Sequence, residues 1–226
     1  LFCFRVGLNQ TNLKHLNTIK KEKKSPFRVV HFPEKLNRED ILFRSILQLG
    51  PVRNSSVQLH TYVEDTLKEM SNKMHGVKHH VSLDQLVVAY NPDYKSELSE
   101  REYNLWISNQ IKYHITPDTG RVTLLIIPGA RGKVQDTLRG YAKHTGFELG
   151  LIASSHKFNK SNIVVCIEKG APEEIYYRDT LEDFCPELYI HTFIDEAIEQ
   201  AFNIATLDAF VATPTPDHRA LTAQSA

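Results

Sequence analysis

The residues from 103 to 170 constrain the fold of this 226-residue chain most strongly, because the spacing of their apolar side chains changes in a regular order. Tyr103, Ile107 and Ile111 recur every four residues, which is the repeat of one helix face. Further along, an uninterrupted apolar run, a second helical stripe and two alternating runs follow. We therefore expect a helix, a strand, a helix and two strands over 103–111, 122–128, 133–146, 147–155 and 162–169.

The second predicted helix has a clear expected end. Gly146 follows its last stripe residue, where a left-handed C-cap favours glycine. The two strands after it are expected to alternate inward and outward side chains. Their inward sets are predicted to be Leu149, Leu151 and Ala153 in the first strand, and Ile163, Val165 and Ile167 in the second.

This segment resembles the R-three-H domain, a small module that binds single-stranded nucleic acid. The resemblance covers 103–169 and depends on the order of elements, a strand ending at Pro128, the sequence LRGYAKHTGFEL and the closing strand NIVVCIEK. The Arg and His that give the family its name align with Gln135 and Arg139, so both signature residues are absent. The resemblance implies the family's compact fold and a nucleic-acid-binding surface.

Around this segment we expect an α+β protein, in which the R-three-H-like module lies between an N-terminal α/β block and a C-terminal helix. The N-terminal block is predicted to hold strands over 2–8 and 27–32, a helix over 38–49, and a helix with the stripe Leu59, Val63, Leu67, Met70 and Met74. The segment 82–90 fits either a helix or a strand. The predicted division is an N-terminal block over 1–91, the module over 96–170, an acidic helical extension over 171–211, and a flexible tail over 212–226.

The net charge of zero conceals two parts of opposite sign. Residues 1–170 contain 25 Lys and Arg against 16 Asp and Glu, while residues 171–226 contain 2 against 11. A basic region attracts phosphate backbones. An acidic region can pair with that basic region, contact a basic protein or remain solvated.

The basic part predicts a surface for single-stranded RNA or DNA, with RNA preferred. Six cations on the second helix and its neighbouring loops are expected to contact phosphates, and one aromatic ring in the predicted hairpin is expected to stack on a base. These residues are Arg131, Lys133, Arg139, Lys143, Lys157 and Lys160, with Phe158 as the stacking ring.

Motifs of catalysis and cofactor binding are absent from the sequence. There is no Gly-x-Ser-x-Gly, Cys-x-x-Cys, His-Glu-x-x-His or dinucleotide fingerprint. Gly129 and Gly132 flank Arg131, but their spacing matches neither nucleotide-loop motif. The adjacent His79 and His80 would point in different directions. We expect no catalytic residues, no metal and no cofactor.

The apolar stripe of the last predicted helix includes Ile194, Ile198 and Phe202, and suits either the preceding sheet or a protein partner. No apolar run is long enough to span a membrane. The three separated cysteines, Cys3, Cys166 and Cys185, favour a reducing, intracellular compartment. An organelle such as the mitochondrion, the nucleus and the cytoplasm all stay open, because residues 1–21 contain no acid but only one Arg.

Two functions follow from these observations. The leading hypothesis is a non-enzymatic RNA-binding protein that acts within a larger ribonucleoprotein or regulatory complex. The alternative is a structural protein-interaction subunit whose R-three-H-like fold has lost its nucleic-acid ligand. An enzyme whose motifs cannot be recognised from one sequence is a third possibility.

Overall fold

A computed structural model describes residues 25–31, 34, 36, 38–50, 59–75, 77, 81–88, 100–115, 120–129 and 145–206. Strands and helices alternate along most of this part of the chain. The strands are β1 (Arg28–His31), β2 (Ser45–Leu49), β3 (Gln85–Val88), β4 (Arg121–Ile127), β5 (Ile163–Ile167) and β6 (Ile190–His191). The α-helices are α1 (Leu59–Met74), α2 (Glu100–His114), α3 (Thr145–Asn159), α4 (Glu174–Phe184) and α5 (Ile194–Thr206).

The described strands form one six-stranded sheet in the order β1-β3-β2-β4-β5-β6, and every pair is parallel. From β2 to β6 this is the 2-1-3-4-5 order of doubly wound sheets, with β1 added outside β3. The predicted mixture of helix and strand is therefore confirmed. Its alternating, parallel form is the α/β arrangement. The three predicted blocks share this sheet, since β1 to β3, β4 and β5, and β6 come from different blocks.

Helices cover both faces of the sheet. One hydrophobic cluster packs α2, α3 and α4 on one face, and a second packs α1 and α5 on the other. The central strands β2, β4 and β5 are buried on both faces, which explains their almost continuous apolar sequences. Helix α1 contributes Leu59, Val63 and Leu67 of its predicted stripe, with Met70 partly buried against them, whereas Met74 is exposed.

The strand predicted over 147–155 is wrong, because these residues belong to α3. Leu149, Ile152 and Ala153 make a helical inner face and are buried, so the alternation of Leu149, Leu151 and Ala153 was coincidental. Gly146 lies in the first turn of α3 rather than at a C-cap. The left-handed residue is Lys160, with φ 56°, and its N–H bonds to the carbonyl of His156 at 2.9 Å.

The helix predicted over 38–49 is also wrong. Only Arg38–Asp40 make a short 3-10 turn, and Ser45–Leu49 form β2. Periodicity does not distinguish a short apolar run in a central strand from a buried helix. The predicted elements α1, α2, β1, β4 and β5 are confirmed, and 82–90 holds β3. The outward-facing set predicted for the last strand is wrong, because Val164 and Cys166 of β5 are buried as well. The strand predicted over 2–8, and the part of the predicted second helix before Thr145, lie outside the described residues.

Candidate interaction surface

Four of the predicted phosphate-binding residues, Arg131, Lys133, Arg139 and Lys143, lie outside the described residues. The other three, Lys157, Phe158 and Lys160, lie at the C-terminal end of α3 and in its connection to β5, not in a hairpin between strands. This end of α3 is at the sheet edge where the parallel strands begin. Because an α-helix rises about 1.5 Å per residue, Lys157 lies about 18 Å along the axis from Thr145, the first residue of α3.

Both described lysines of this set have contacts within the protein. The Nζ of Lys157 donates a hydrogen bond to the carbonyl oxygen of Phe184 at 2.9 Å and lies 4.2 Å from the centroid of the Phe184 ring. It thus places a positive charge at the C-terminus of α4, which the helix dipole favours. The Nζ of Lys160 is 3.5 Å from a carboxylate oxygen of Glu187. Phe158 is exposed. These contacts give Lys157 a structural role at the end of α4.

A serine and a histidine form a buried pair that the sequence does not reveal. The hydroxyl of Ser45 is 3.2 Å from Nε2 of His114, and Nδ1 of His114 is 2.9 Å from the carbonyl oxygen of Gln110. Both side chains are fully buried; Ser45 is the first residue of β2 and His114 is the last residue of α2. A nucleophile must reach its substrate. The pair is therefore structural.

The opposite edge, where the strands end, is the usual ligand-binding edge of a doubly wound sheet. Here the backbone N–H of Gly129 donates to the Glu168 carboxylate at 2.8 Å. The Tyr62 hydroxyl donates to Asp195 at the start of α5, and this bond is the main cause that raises the pKa of Tyr62. At this edge, the N–H of Gly129 and the hydroxyl of Tyr62 are therefore already hydrogen-bonded to carboxylates.

The side chains predicted to contact a protein partner do not lie at the surface; they are Ile194, Ile198 and Phe202. All three are buried in the cluster between α5, α1 and the sheet. The stripe of α5 was predicted to pack either on the preceding sheet or on a protein partner, and it packs on the sheet. The contact predicted between these residues and a partner is wrong.

Three other large apolar side chains are exposed on the opposite face of the sheet. Phe147 lies in the first turn of α3, and Ile175 and Tyr176 lie in the first turn of α4; their exposed fractions are 64%, 75% and 65%. The two first turns are neighbours, because a side-chain carbon added at Gly146 would lie 3.9 Å from the ring of Tyr177. The ring centroids of Tyr176 and Tyr177 are 5.7 Å apart.

Acidic side chains lie along α4, which carries two residues of this apolar group. Glu173, Asp179, Glu182 and Asp183 are exposed on or beside α4. The nearby cation, Arg178, bonds to Glu174 at 3.2 Å, to the carbonyl of Ile167 and to the Thr192 hydroxyl at 3.4 Å. We call Phe147, Ile175 and Tyr176, with these four exposed carboxylates, the α3–α4 face. It combines apolar surface with negative charge.

A buried carboxyl lies in the first turn of α3. Glu148 follows Phe147 in α3, is almost completely buried, and burial raises its pKa to about 7. Burial also raises the pKa of Cys166 to about 12, with a smaller contribution from Glu168, so its thiol is unreactive. Sequence reasoning gave no signal for Glu148, because one acid in the first turn of a helix is ordinary.

Within the described residues, no group of three or more His, Cys, Asp or Glu side chains could hold a metal ion. His79 and His80 lie outside those residues. No helix in the same part of the chain has both the length and the apolar character needed to cross a membrane.

Comparison with models of known protein families gives no match, and comparison with curated proteins gives none either.

Proposed function

We propose that this protein is a non-catalytic protein-interaction module that binds a basic segment of a partner protein through the α3–α4 face. The observation that carries the proposal is the exposure of Phe147, Ile175 and Tyr176 on the first turns of two adjoining helices. Large apolar side chains grouped at a surface favour an interaction site, and tyrosine is enriched at the centres of interfaces.

Charge determines the class of partner. Residues 173–183 contain five Asp and Glu, and Arg178 is their single Lys or Arg. Opposite charge on a partner speeds its approach, and like charge repels it. A segment that combines Arg or Lys with apolar side chains therefore fits the α3–α4 face, whereas a phosphate backbone is repelled by it.

A labelled peptide of alternating Arg and Leu tests the proposal by fluorescence anisotropy with the full chain. We expect a dissociation constant of roughly 10 μM, typical of a small transient interface, that weakens as salt rises. Ile175→Ser should weaken binding at least tenfold, about the loss of one buried aliphatic side chain. Tyr189→Ser is the matched control, since Tyr189 is 66% exposed outside this face.

Two results would overturn the proposal: no peptide binding, or equal weakening by Ile175→Ser and Tyr189→Ser. Light scattering identifies one special case. A dimer that dissociates with salt and with Ile175→Ser would mean that the basic partner is a second copy of the chain.

Single-stranded RNA binding through the basic segment 131–143 is the competing proposal, supported by the sequence and its resemblance. Polyuridylate added in place of the peptide separates the two. If Arg131, Lys133, Arg139 and Lys143 each contact one phosphate, the log–log salt slope is about −3, at roughly −0.7 per contact on a single strand. Tight RNA binding with that slope, unaffected by Ile175→Ser, would favour this competing function.

A further inference from the structure

Tyr176 combines three features at the start of α4. Its side chain is 65% exposed, it lies in the first turn of the helix, and Glu173 and Glu174 precede it with one apolar residue between. The neighbouring Tyr177 is buried and Tyr62 bonds to Asp195. Tyr189 is as exposed as Tyr176, but the residues before it are Cys185, Pro186, Glu187 and Leu188.

The first turn of α4 begins without a side-chain cap. Glu173 is the N-cap residue, has φ 59° in the left-handed region, and makes no side-chain cap hydrogen bond. The N–H of Glu174 bonds to the carbonyl of Ala171 at 3.1 Å, and a helix start without a side-chain cap is less stable by about 1 kcal/mol. Glu174 stabilises this start through one carboxylate oxygen 2.7 Å from the Gly170 nitrogen and another 3.2 Å from Arg178 Nε.

We propose that Tyr176 is a phosphate-acceptor site for a tyrosine kinase that selects acidic residues before its target. Kinases discriminate substrates partly by charge pattern, and an enzyme cleft that carries cations would bind Glu173 and Glu174. The uncapped turn opens to present the tyrosine in an extended conformation, as local unfolding at helix ends permits.

The reaction takes its phosphoryl group from a nucleoside triphosphate. The phenol oxygen of Tyr176 attacks the γ-phosphorus, and a new oxygen–phosphorus bond forms as the bond to the β–γ bridging oxygen breaks. The nucleoside diphosphate leaves with that electron pair. The phenol proton passes to the kinase's catalytic carboxylate. The product carries a charge of about −1.5 to −2 near the N-terminus of α4, where the helix dipole favours a phosphate.

The test incubates the full chain with MgATP and a soluble tyrosine-kinase catalytic domain that prefers acidic substrates, and then maps phosphate by mass spectrometry. Phosphate is expected on Tyr176, and Tyr176→Phe should remove most of the incorporation while Tyr189→Phe leaves it unchanged. Glu173→Gln should slow the reaction about threefold, the size expected from one exposed ion pair with the enzyme.

Arg178→Ala provides a readout of the opening step. Removing the guanidinium that holds Glu174 should raise the rate of phosphorylation at Tyr176, because the first turn opens more often. The proposal is overturned if Tyr189 is modified as fast as Tyr176. It is also overturned if a peptide of residues 168–182 is phosphorylated while the folded chain is not.

Discussion

Ser45 and His114 are 69 positions apart in sequence, yet the serine hydroxyl lies 3.2 Å from Nε2 of the histidine in the buried core. Nδ1 is 2.9 Å from the Gln110 carbonyl oxygen, so Nδ1 carries the proton and donates it. The serine hydroxyl then donates to Nε2. Both ring nitrogens therefore have a hydrogen-bond partner in the neutral form. Burial lowers the pKa of His114 to about 4, with a smaller downward contribution from Arg121.

Because His114 is neutral in the folded protein, the free energy of unfolding decreases as the pH falls. Since its folded pKa is below its unfolded value of 6.5, His114 contributes stability that is present above pH 6.5 and is lost as pH falls toward 4. We expect the stability advantage of wild type over His114→Gln to shrink by up to about 3 kcal/mol across that range. Urea unfolding from pH 4 to pH 8 measures it. An advantage that does not vary with pH would contradict the prediction.

Glu148 has the opposite effect on how stability depends on pH. Its folded pKa is about 7, raised by burial from 4.5, so its contribution to stability is present below pH 4.5 and is lost as pH rises to 7. Glu148→Gln should therefore stabilise the fold at pH 8 relative to wild type, by up to about 3 kcal/mol, and have little effect at pH 4. The same unfolding series tests it. Equal effects at both pH values would show that the carboxyl is not desolvated.

Gly50 requires the absence of a side chain. Its φ is +137°, and a Cβ atom would lie 2.1 Å from the backbone oxygen of Ile126 in the neighbouring strand. Gly50→Ala should destabilise the fold by at least about 3 kcal/mol, because the clash is with backbone and the conformation is strained. Gly150→Ala is the control: no atom lies within 4 Å of its Cβ, and alanine should stabilise α3 by up to about 1 kcal/mol. Thermal unfolding distinguishes the two.

Lys160 is a non-glycine residue at the left-handed end of α3, with φ 56°. Lys160→Gly should stabilise the protein by about 0.5–1 kcal/mol, since glycine adopts this conformation without strain. Its exposed pair with Glu187 is worth little. Lys157→Ala should instead destabilise by a similar amount, because it removes a charge from the C-terminus of α4. Chemical denaturation of both variants gives the comparison, and the same sign for both would refute it.

Sequence reasoning was most successful where the pattern of apolar residues allows one interpretation. The four-residue stripe of α1 and the apolar runs of β4 and β5 predicted those elements correctly. It failed for β2, a short apolar run that can be mistaken for part of a buried helix, and for α3, whose first residues happen to alternate. Parallel pairing is also hidden in sequence, because it joins segments separated by whole helices.

The candidate face was harder still to predict. The negative charge of the C-terminal part is visible in composition, whereas the proximity of the first turns of α3 and α4 depends on how the two helices pack. The burial of Ile198 and Phe202 likewise depends on which surface α5 covers. An apolar stripe indicates that a helix packs against something, and the tertiary fold decides against what.

The pairing of β2 with β4 along Ser45–Leu49 limits how the chain can be divided for expression. A fragment of residues 96–170 would carry β4 and β5 alone and would expose the open backbone of β4, an apolar strand of seven residues, to the solvent. Such an edge joins readily to identical edges, and aggregation follows. The central segment is thus best expressed together with the residues that precede it.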